Sequence, residues 1–284
     1  MYPGCGYKRP MANVLKTEKK VAVISALVEG ASVRSIERMT GVHRDTILRL
    51  MVRVANACAA YSDRTLRDLP CTRIECDEIW AYVGKKNRNV TIEDNRWLVG
   101  DQYTFIALDP ESKLIPCWLV GKRTAANTLD FMLDLKARLR NRVQLSTDGF
   151  EPYVNAVEAA FGRDVDYATI VKAYEEQPAG RGRYSPPRIV SVEKDEKMGW
   201  PNMETVSTSL VERQNLTVRM QVRRLTRLTN AFSKKLPNLR AALDLHFTHY
   251  NFVRFHRSIR CTPAMEAGVA STPLSVKDLV EMAA

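Results

Sequence analysis

Residues 74–83 read IECDEIWAYV. Upstream of Arg73 the apolar residues recur at helical spacing, whereas from there onward they alternate or run together as in a strand, so a change of architecture is expected at this point. Residues 103–108 and 114–120 repeat the strand pattern, and Asp109-Pro110-Glu111-Ser112 supplies a turn between them, which predicts an antiparallel meander of three strands. A helix over 125–139, a strand at 142–146, a helix over 151–161 and a short strand near 166–171 follow. Three antiparallel strands and then alternating helix and strand is the order of a mixed α/β sheet. Residues 177–203 are rich in Pro, Gly and charge without sustained period and read as a long surface excursion. Val211, Val218, Val222 and Leu225 then fall on one stripe, predicting a helix packed on the core by that face. Further helical pattern occupies 239–253.

Working back from the same stretch, Val21, Ile24, Leu27 and Val28 mark a helix that stops at Glu29-Gly30. Ser32 caps a second helix through Met39, Thr40-Gly41-Val42 breaks it, and residues 43–59 resume the period with Ile47, Leu48, Met51 and Val54 inward. Three helices with a glycine-containing turn before the third form the pattern of a helix-turn-helix. The expected organisation is a disordered arm over 1–17, a separable DNA-binding domain over 18–66, an α/β catalytic domain over 67–232 and a helical C-terminal segment over 233–284.

Composition narrows the partners. The 284 residues carry 43 Lys and Arg against 32 Asp and Glu, a formal charge of +11, which points to a polyanion, with nucleic acid ahead of an anionic membrane surface. No apolar stretch approaches the roughly 20 residues needed to cross a bilayer, so a soluble, cytoplasmic and nucleoid-associated protein without membrane partners is expected. Cys5, Cys58, Cys71, Cys76, Cys117 and Cys261 form no CxxC pair and read as reduced, mostly buried thiols.

Three carboxylates stand where this layout exposes them: Asp77 in the first strand, Asp148 just past the fourth and Glu212 on the long helix. Each has an ordinary alternative, Thr147-Asp148-Gly149 being a common turn signature and most helix glutamates simply solvated. Together they suit two hard divalent ions, Mg²⁺ with Mn²⁺ able to substitute, which bind through a few carboxylates, water and substrate phosphate. Such a pair activates a water or 3′-hydroxyl and stabilises the leaving oxygen of an in-line displacement at phosphorus. Glu78, next to Asp77 on a strand, is expected to point to the opposite face, away from the ions. For DNA contact, Arg44, Thr46 and Arg49 at the start of the third helix are placed for the major groove. Lys85 and Lys86 follow the first strand, and Arg213, Arg219, Arg223, Arg224 and Arg227 form a basic face on the long helix, with Arg219 and Arg223 in line with Glu212. His256, with Tyr250 and Asn251, reads as packing at a helix end.

The residues 74–80 with Tyr82-Val83-Gly84-Lys85 after them resemble the first catalytic strand of IS1-family insertion-sequence transposases of the DDE superfamily. Thr147-Asp148-Gly149 resembles their second motif, and residues 209–219, SLVERQNLTVR, their third. Residues 224–233, 250–256 and 262–266 are similar to the same family, and the likeness covers roughly 21–268. The resemblance implies an RNase H-like core, the triad Asp77, Asp148 and Glu212, metal-dependent cleavage of double-stranded DNA at element ends, and transfer of the 3′-hydroxyl into target DNA. It also implies a homodimer or higher oligomer, because two ends must be joined. The rivals are a catalytically silent DNA-binding regulator derived from a transposase, and a structure-specific nuclease of the same fold.

Overall fold

The computed structural model describes residues 14–175 and 188–283, and most of the expected N-terminal arm lies outside them. Three helices come first: α1 (Thr17–Val28), α2 (Val33–Thr40) and α3 (Arg44–Thr65). The Ser32 side chain accepts from the Ser35 N–H at 3.1 Å, capping α2 as its sequence position predicts. Gly41 ends that helix at φ 70°, a left-handed conformation that costs glycine little.

The sheet contains β1 (Arg73–Val83), β2 (Gly100–Leu108), β3 (Trp118–Gly121), β4 (Val143–Asp148), β5 (Val165–Tyr174) and β6 (Ile189–Met198) in the order β3-β2-β1-β4-β5-β6. The first three strands pair antiparallel, while β4 and β5 run parallel to β1. Between them lie α4 (Ala125–Arg138) and α5 (Pro152–Phe161), and after them α6 (Ser209–Gln221), α7 (Leu236–Phe252), α8 (Pro263–Glu266) and α9 (Val276–Glu281). This is the mixed α/β core expected of an RNase H-like fold: a meander followed by two parallel strands reached through helices. One face packs Ile74, Cys76 and Leu145 against Phe131, Leu135 and Val157 of α4 and α5. The other packs Ile79, Ala81 and Val83 against Val211, Val218 and Phe247 of α6 and α7.

Three local expectations fail for physical reasons. The third strand is confined to Trp118–Gly121 rather than filling 114–120, because the main chain of Ile115 bonds through both its N–H and C=O to the Asn251 side chain, at 3.0 and 2.8 Å, and Pro116 has no N–H. The segment read as a surface excursion over 177–203 contains β6, an edge strand exposed along nearly its whole length. Its ladder with β5 is made by main chain alone, so no apolar alternation marks it. The long helix ends at Gln221, and Arg223–Leu225 form a short 3₁₀ turn, although Val222 and Leu225 remain buried as the stripe requires.

The N-terminal helices are not isolated. Val23, Ile24, Ile36, Ile47 and Met51 share one apolar cluster with Ala241 and Leu245 of α7 and Leu279 and Val280 of α9. The buried Ser62 and Thr248 hydroxyls, 2.9 Å apart, tie α3 to α7 as well. Cys58, Cys71, Cys76 and Cys117 are buried and unpaired, and Cys261 is unpaired at an intermediate depth.

A buried acid leaves a thermodynamic signature. The Trp118 indole donates to Asp244 Oδ1 at 2.8 Å, and burial pushes that carboxyl up to about 6 despite Trp118 and Arg240. A carboxyl raised above its unfolded value favours the fold at low pH and weakens it as pH rises through the folded value. Asp244→Asn keeps an acceptor for the indole and removes the ionisation, so it is expected to stabilise by about 2–3 kcal/mol at pH 7.5 and by about half that at pH 5. Thermal melts at the two pH values check this; an equal gain at both, or a loss at pH 7.5, contradicts it.

Candidate metal centre and nucleic-acid surface

β1 and β4 lie side by side and parallel, and the register that pairs Glu75 with Ser146, carried two residues further, sets Asp77 level with Asp148. This is the carboxyl end of β4, the end of an open α/β sheet at which ligands bind. Asp148 also makes the expected turn, its Oδ1 accepting the Phe150 N–H at 3.0 Å. The turn and the site are therefore the same feature.

One carboxylate oxygen from each of Asp77, Glu78 and Asp148 lies within 4.8 Å of the other two. Glu78 thus departs from the expectation that it points away. It does leave the strand on the face opposite Asp77, but at the sheet's end Asp148 comes within reach of both. Its side chain is 3% exposed, and its Oε1 has no hydrogen-bond partner among the described residues. Asp77 accepts the Glu78 N–H at 2.8 Å and the Asn215 amide at 2.6 Å.

The electrostatics are those of a crowded acidic site. Burial, then the charges of Asp148 and Glu212, pushes Asp77 up to about 6 against the hydrogen bonds of Glu78 and Asn215. Burial and Asp148 push Glu78 up to about 7, with Arg123 opposing. The hydroxyl of the buried Tyr153 also acts to lower it, without forming an aligned hydrogen bond. A divalent cation would reverse these penalties, since an opposite charge within about 4–6 Å favours the ionised form. Three hard oxygens at this spacing, with Glu78 Oε1 unpartnered among the described residues, fit such an ion.

Glu212 stands at the first turn of α6 but outside the cluster. Its Oε1 accepts the Thr208 hydroxyl at 2.8 Å and pairs with Lys172 of β5. It is near enough to raise the Asp77 and Glu75 carboxyls. Arg123 completes the arrangement: its guanidinium reaches Glu78 Oε2 at 3.0 Å and Asp148 Oδ2 at 3.2 Å while lying 3.8 Å from the Phe150 ring centroid. Neither Lys172 nor Arg123 was marked in the sequence. Both sit in unremarkable local patterns, and only strand pairing places them beside the acids.

The basic residues divide into free and committed. Arg44, Arg49, Arg213, Arg223 and Arg227 and Lys86 are exposed, and Arg49 also donates to Thr46 Oγ1 at 3.3 Å. Arg219 and Lys85 are not free in this way. Arg219 donates to the carbonyls of Trp80 and Leu225, both at 3.3 Å, and burial lowers its pKa to about 10; it clamps α6 to β1. Lys85 is paired with Asp94 at 2.9 Å. Because the helix stops at Gln221, Arg223 does not continue the line from Glu212 through Arg219, and Arg224 turns inward to Ser233 Oγ at 3.3 Å, largely buried. Asn251, already bonded to Ile115, is structural, and His256 is hydrogen-bonded to Ser258 at 3.0 Å.

No protein-family model matches the chain, and no curated protein is significantly similar to it. Solved structures similar to it include the Mos1 transposase paired-end complex with left transposon end, at 13% identity over 55% of this chain and 60% of that chain, with a TM-score of 0.25. The Mos1 strand transfer complex matches at 15% identity over 55% and 59%, TM-score 0.24, and a Mos1 mariner paired-end complex with Mn at 13% over 54% and 59%, TM-score 0.21. The matched part thus spans about three fifths of those chains. Among the described residues no helix is long and apolar enough to cross a membrane.

Proposed function

We propose that this protein is a DDE transposase that cuts DNA at the ends of its element and joins the freed 3′-hydroxyl to target DNA, with IS1-type transposases as its family. One observation carries this: Asp77 and Asp148, drawn from adjacent parallel strands, converge with Glu78 within 4.8 Å at the end of the sheet, with Glu212 alongside. Asp77, Glu78 and Asp148 would hold one Mg²⁺ or Mn²⁺, and Glu212, once released from Lys172, is the acid available to a second. Bound there, such ions would lower the pKa of the attacking hydroxyl and neutralise charge on phosphate and leaving oxygen. The chain's own residues supply the rest. Asn215 and the Glu78 N–H fix the Asp77 carboxylate, Phe150 N–H fixes Asp148, and Arg123, paired with Glu78 and Asp148, would turn to a phosphate once a cation takes over those acids. The α1–α3 unit would read element ends through Arg44, Thr46 and Arg49, and Lys86, Arg213, Arg223 and Arg227 would hold backbone. The protein would act as a homodimer or higher oligomer in the cytoplasm, on the nucleoid.

The test is cleavage of duplexes drawn from the DNA flanking the gene, in Mg²⁺, Mn²⁺, Ca²⁺ or chelator. Nicks leaving 3′-hydroxyl ends in Mg²⁺ and Mn²⁺ but not in chelator are expected. Cation binding without any cleavage would favour the silent regulator instead. Duplex affinity should also fall with salt: with on the order of four phosphates engaged, the loss between 50 and 200 mM KCl is roughly 100-fold. A salt-independent affinity, read by fluorescence polarisation, would contradict phosphate contact.

A further inference from the structure

The helix that carries Glu212 starts without a cap of its own. Thr208 holds the N-cap position of α6, where a hydroxyl ordinarily accepts an N–H of the first turn, yet its side chain caps nothing. Its Oγ1 donates instead to Glu212 Oε1 at 2.8 Å and accepts from Lys172 Nζ at 3.3 Å. The missing acceptor comes from the sheet. Glu75 of β1 receives the Leu210 and Val211 N–H groups on one oxygen, Oε2, at 2.9 and 3.0 Å. Those are donors that a helix start leaves without an intrahelical partner; another, the Ser209 N–H, goes to Ser207 Oγ at 3.0 Å. Glu75 is 5% exposed and Thr208 2%. Oxygens at that depth need hydrogen bonds, and the partial positive charge of a helix N-terminus suits an acid.

This tie fixes more than a helix end. Asn215 donates to Asp77 Oδ2 at 2.6 Å and Arg219 to the Trp80 carbonyl at 3.3 Å, so α6 is fastened to β1 at Glu75, Asp77 and Trp80 in turn. From Glu75 to Asp77 the strand advances about 7 Å, and from Leu210 or Val211 to Asn215 the helix advances about 6–8 Å, so the first two ties fit one register. Glu212 is the residue after Val211. Whatever shifts the Val211 N–H along β1 therefore shifts Glu212 relative to Asp77 and Asp148. Glu75 itself is not among the acids that converge at the end of the sheet.

We propose that Glu75 is a positioning residue of the metal centre, an inference that rests on the metal-dependent function proposed above. By capping α6 from the sheet it releases the Thr208 hydroxyl to orient Glu212, and it sets where that acid stands over Asp77. Its role is that of an oxygen acceptor for the helix, not of a metal ligand. Without it, Thr208 turns back onto the first turn and Glu212 loses the donor that holds it.

Three changes separate these roles. Glu75→Met keeps the length and removes both oxygens, Glu75→Gln keeps one acceptor without the charge, and Thr208→Val removes only the hydroxyl. Mn²⁺ titrated into the full chain with a flanking-DNA duplex, followed by electron paramagnetic resonance, resolves the ions. Glu75→Met and Thr208→Val are each expected to weaken the second ion, the one assigned to Glu212, by roughly 10–100-fold while the first stays within about threefold of wild type. Glu75→Gln should hold both ions within about threefold, and Glu75→Met combined with Thr208→Val should lose no more than either alone. Equal weakening in Glu75→Gln and Glu75→Met would mean that Glu75 ligates through its charge, which overturns the positioning role. A Glu75→Met protein in which both ions weaken together, the mark of a loosened fold, or in which neither changes, overturns it as well.

Thermal melts of the metal-free protein test the exchange of caps with no ion present. Thr208→Val should lower the melting temperature by roughly 2–4 °C more in the Glu75→Met background than in wild type, because only there does its hydroxyl cap the helix. Additive shifts overturn the exchange. A wild type that binds no second ion contradicts the two-ion reading of the function, and the melts still decide whether Glu75 and Thr208 share the helix end.

Discussion

Asp77→Asn and Asp148→Asn are each expected to lower strand cleavage on the order of a thousandfold while leaving duplex affinity within a few-fold. Each swap preserves size but replaces a charged oxygen that a hard cation requires by an amide. The loss should exceed the 10–100-fold usual for a residue that only supports a metal ligand. Glu212→Gln should behave similarly if the second acid is recruited once DNA displaces Lys172. Glu78→Gln belongs to the same set, because its carboxylate lies in the cluster and holds Arg123. Like the two aspartates it is expected to fall by more than the roughly 10–100-fold usual for a residue that only supports a ligand. Single-turnover cleavage with Mg²⁺, alongside polarisation for binding, measures all four. Wild-type rates in Asp77→Asn or Asp148→Asn would remove the basis for the assignment.

The second large effect concerns stability. Residues 1–66 alone are expected to remain largely unfolded, although their pattern reads as a self-contained three-helix reader. The cluster that orders them is completed by Ala241 and Leu245 from α7 and by Leu279 and Val280 from α9, far along the chain. Removing those partners opens the cluster that also holds Val23, Ile24, Ile47 and Met51, all buried in the whole protein. In the full chain, Leu279→Ala should cost about 2–5 kcal/mol. For a chain of this size that is a drop of roughly 5–15 °C in melting temperature. Circular dichroism of the fragment and thermal melts of the variant check both. A fragment as helical as α1–α3 in the whole protein, or an unchanged melting temperature, contradicts this packing.

What was legible in the sequence follows from how information is carried. The sheet meander, α4, α5 and the capped α2 were readable because local periodicity and turn chemistry determine them. β6 was not, since an exposed edge strand is held by main-chain bonds to β5 and its side chains carry no signature. The end of α6 was missed because the apolar stripe continues through Val222 and Leu225 after the helical hydrogen bonding stops. Asp77 and Asp148 were singled out by motif and position, and the β1–β4 register brings them together. Glu78 was misjudged because alternation describes a strand's faces but not what approaches around its end. Arg123 and Lys172 are products of tertiary pairing, which no window along the chain contains. The same holds for the core that the N-terminal helices share with α7 and α9.

Occupancy of the acidic cluster by a cation is the point on which the chemistry turns. Titration of Mn²⁺ into the metal-free protein, followed by electron paramagnetic resonance, counts bound ions directly and needs no DNA substrate. Wild type is expected to bind Mn²⁺ in competition with Mg²⁺, and Asp77→Asn with Asp148→Asn should lose that site while keeping wild-type circular dichroism. Equal Mn²⁺ binding by the folded double variant would contradict a metal centre at Asp77 and Asp148.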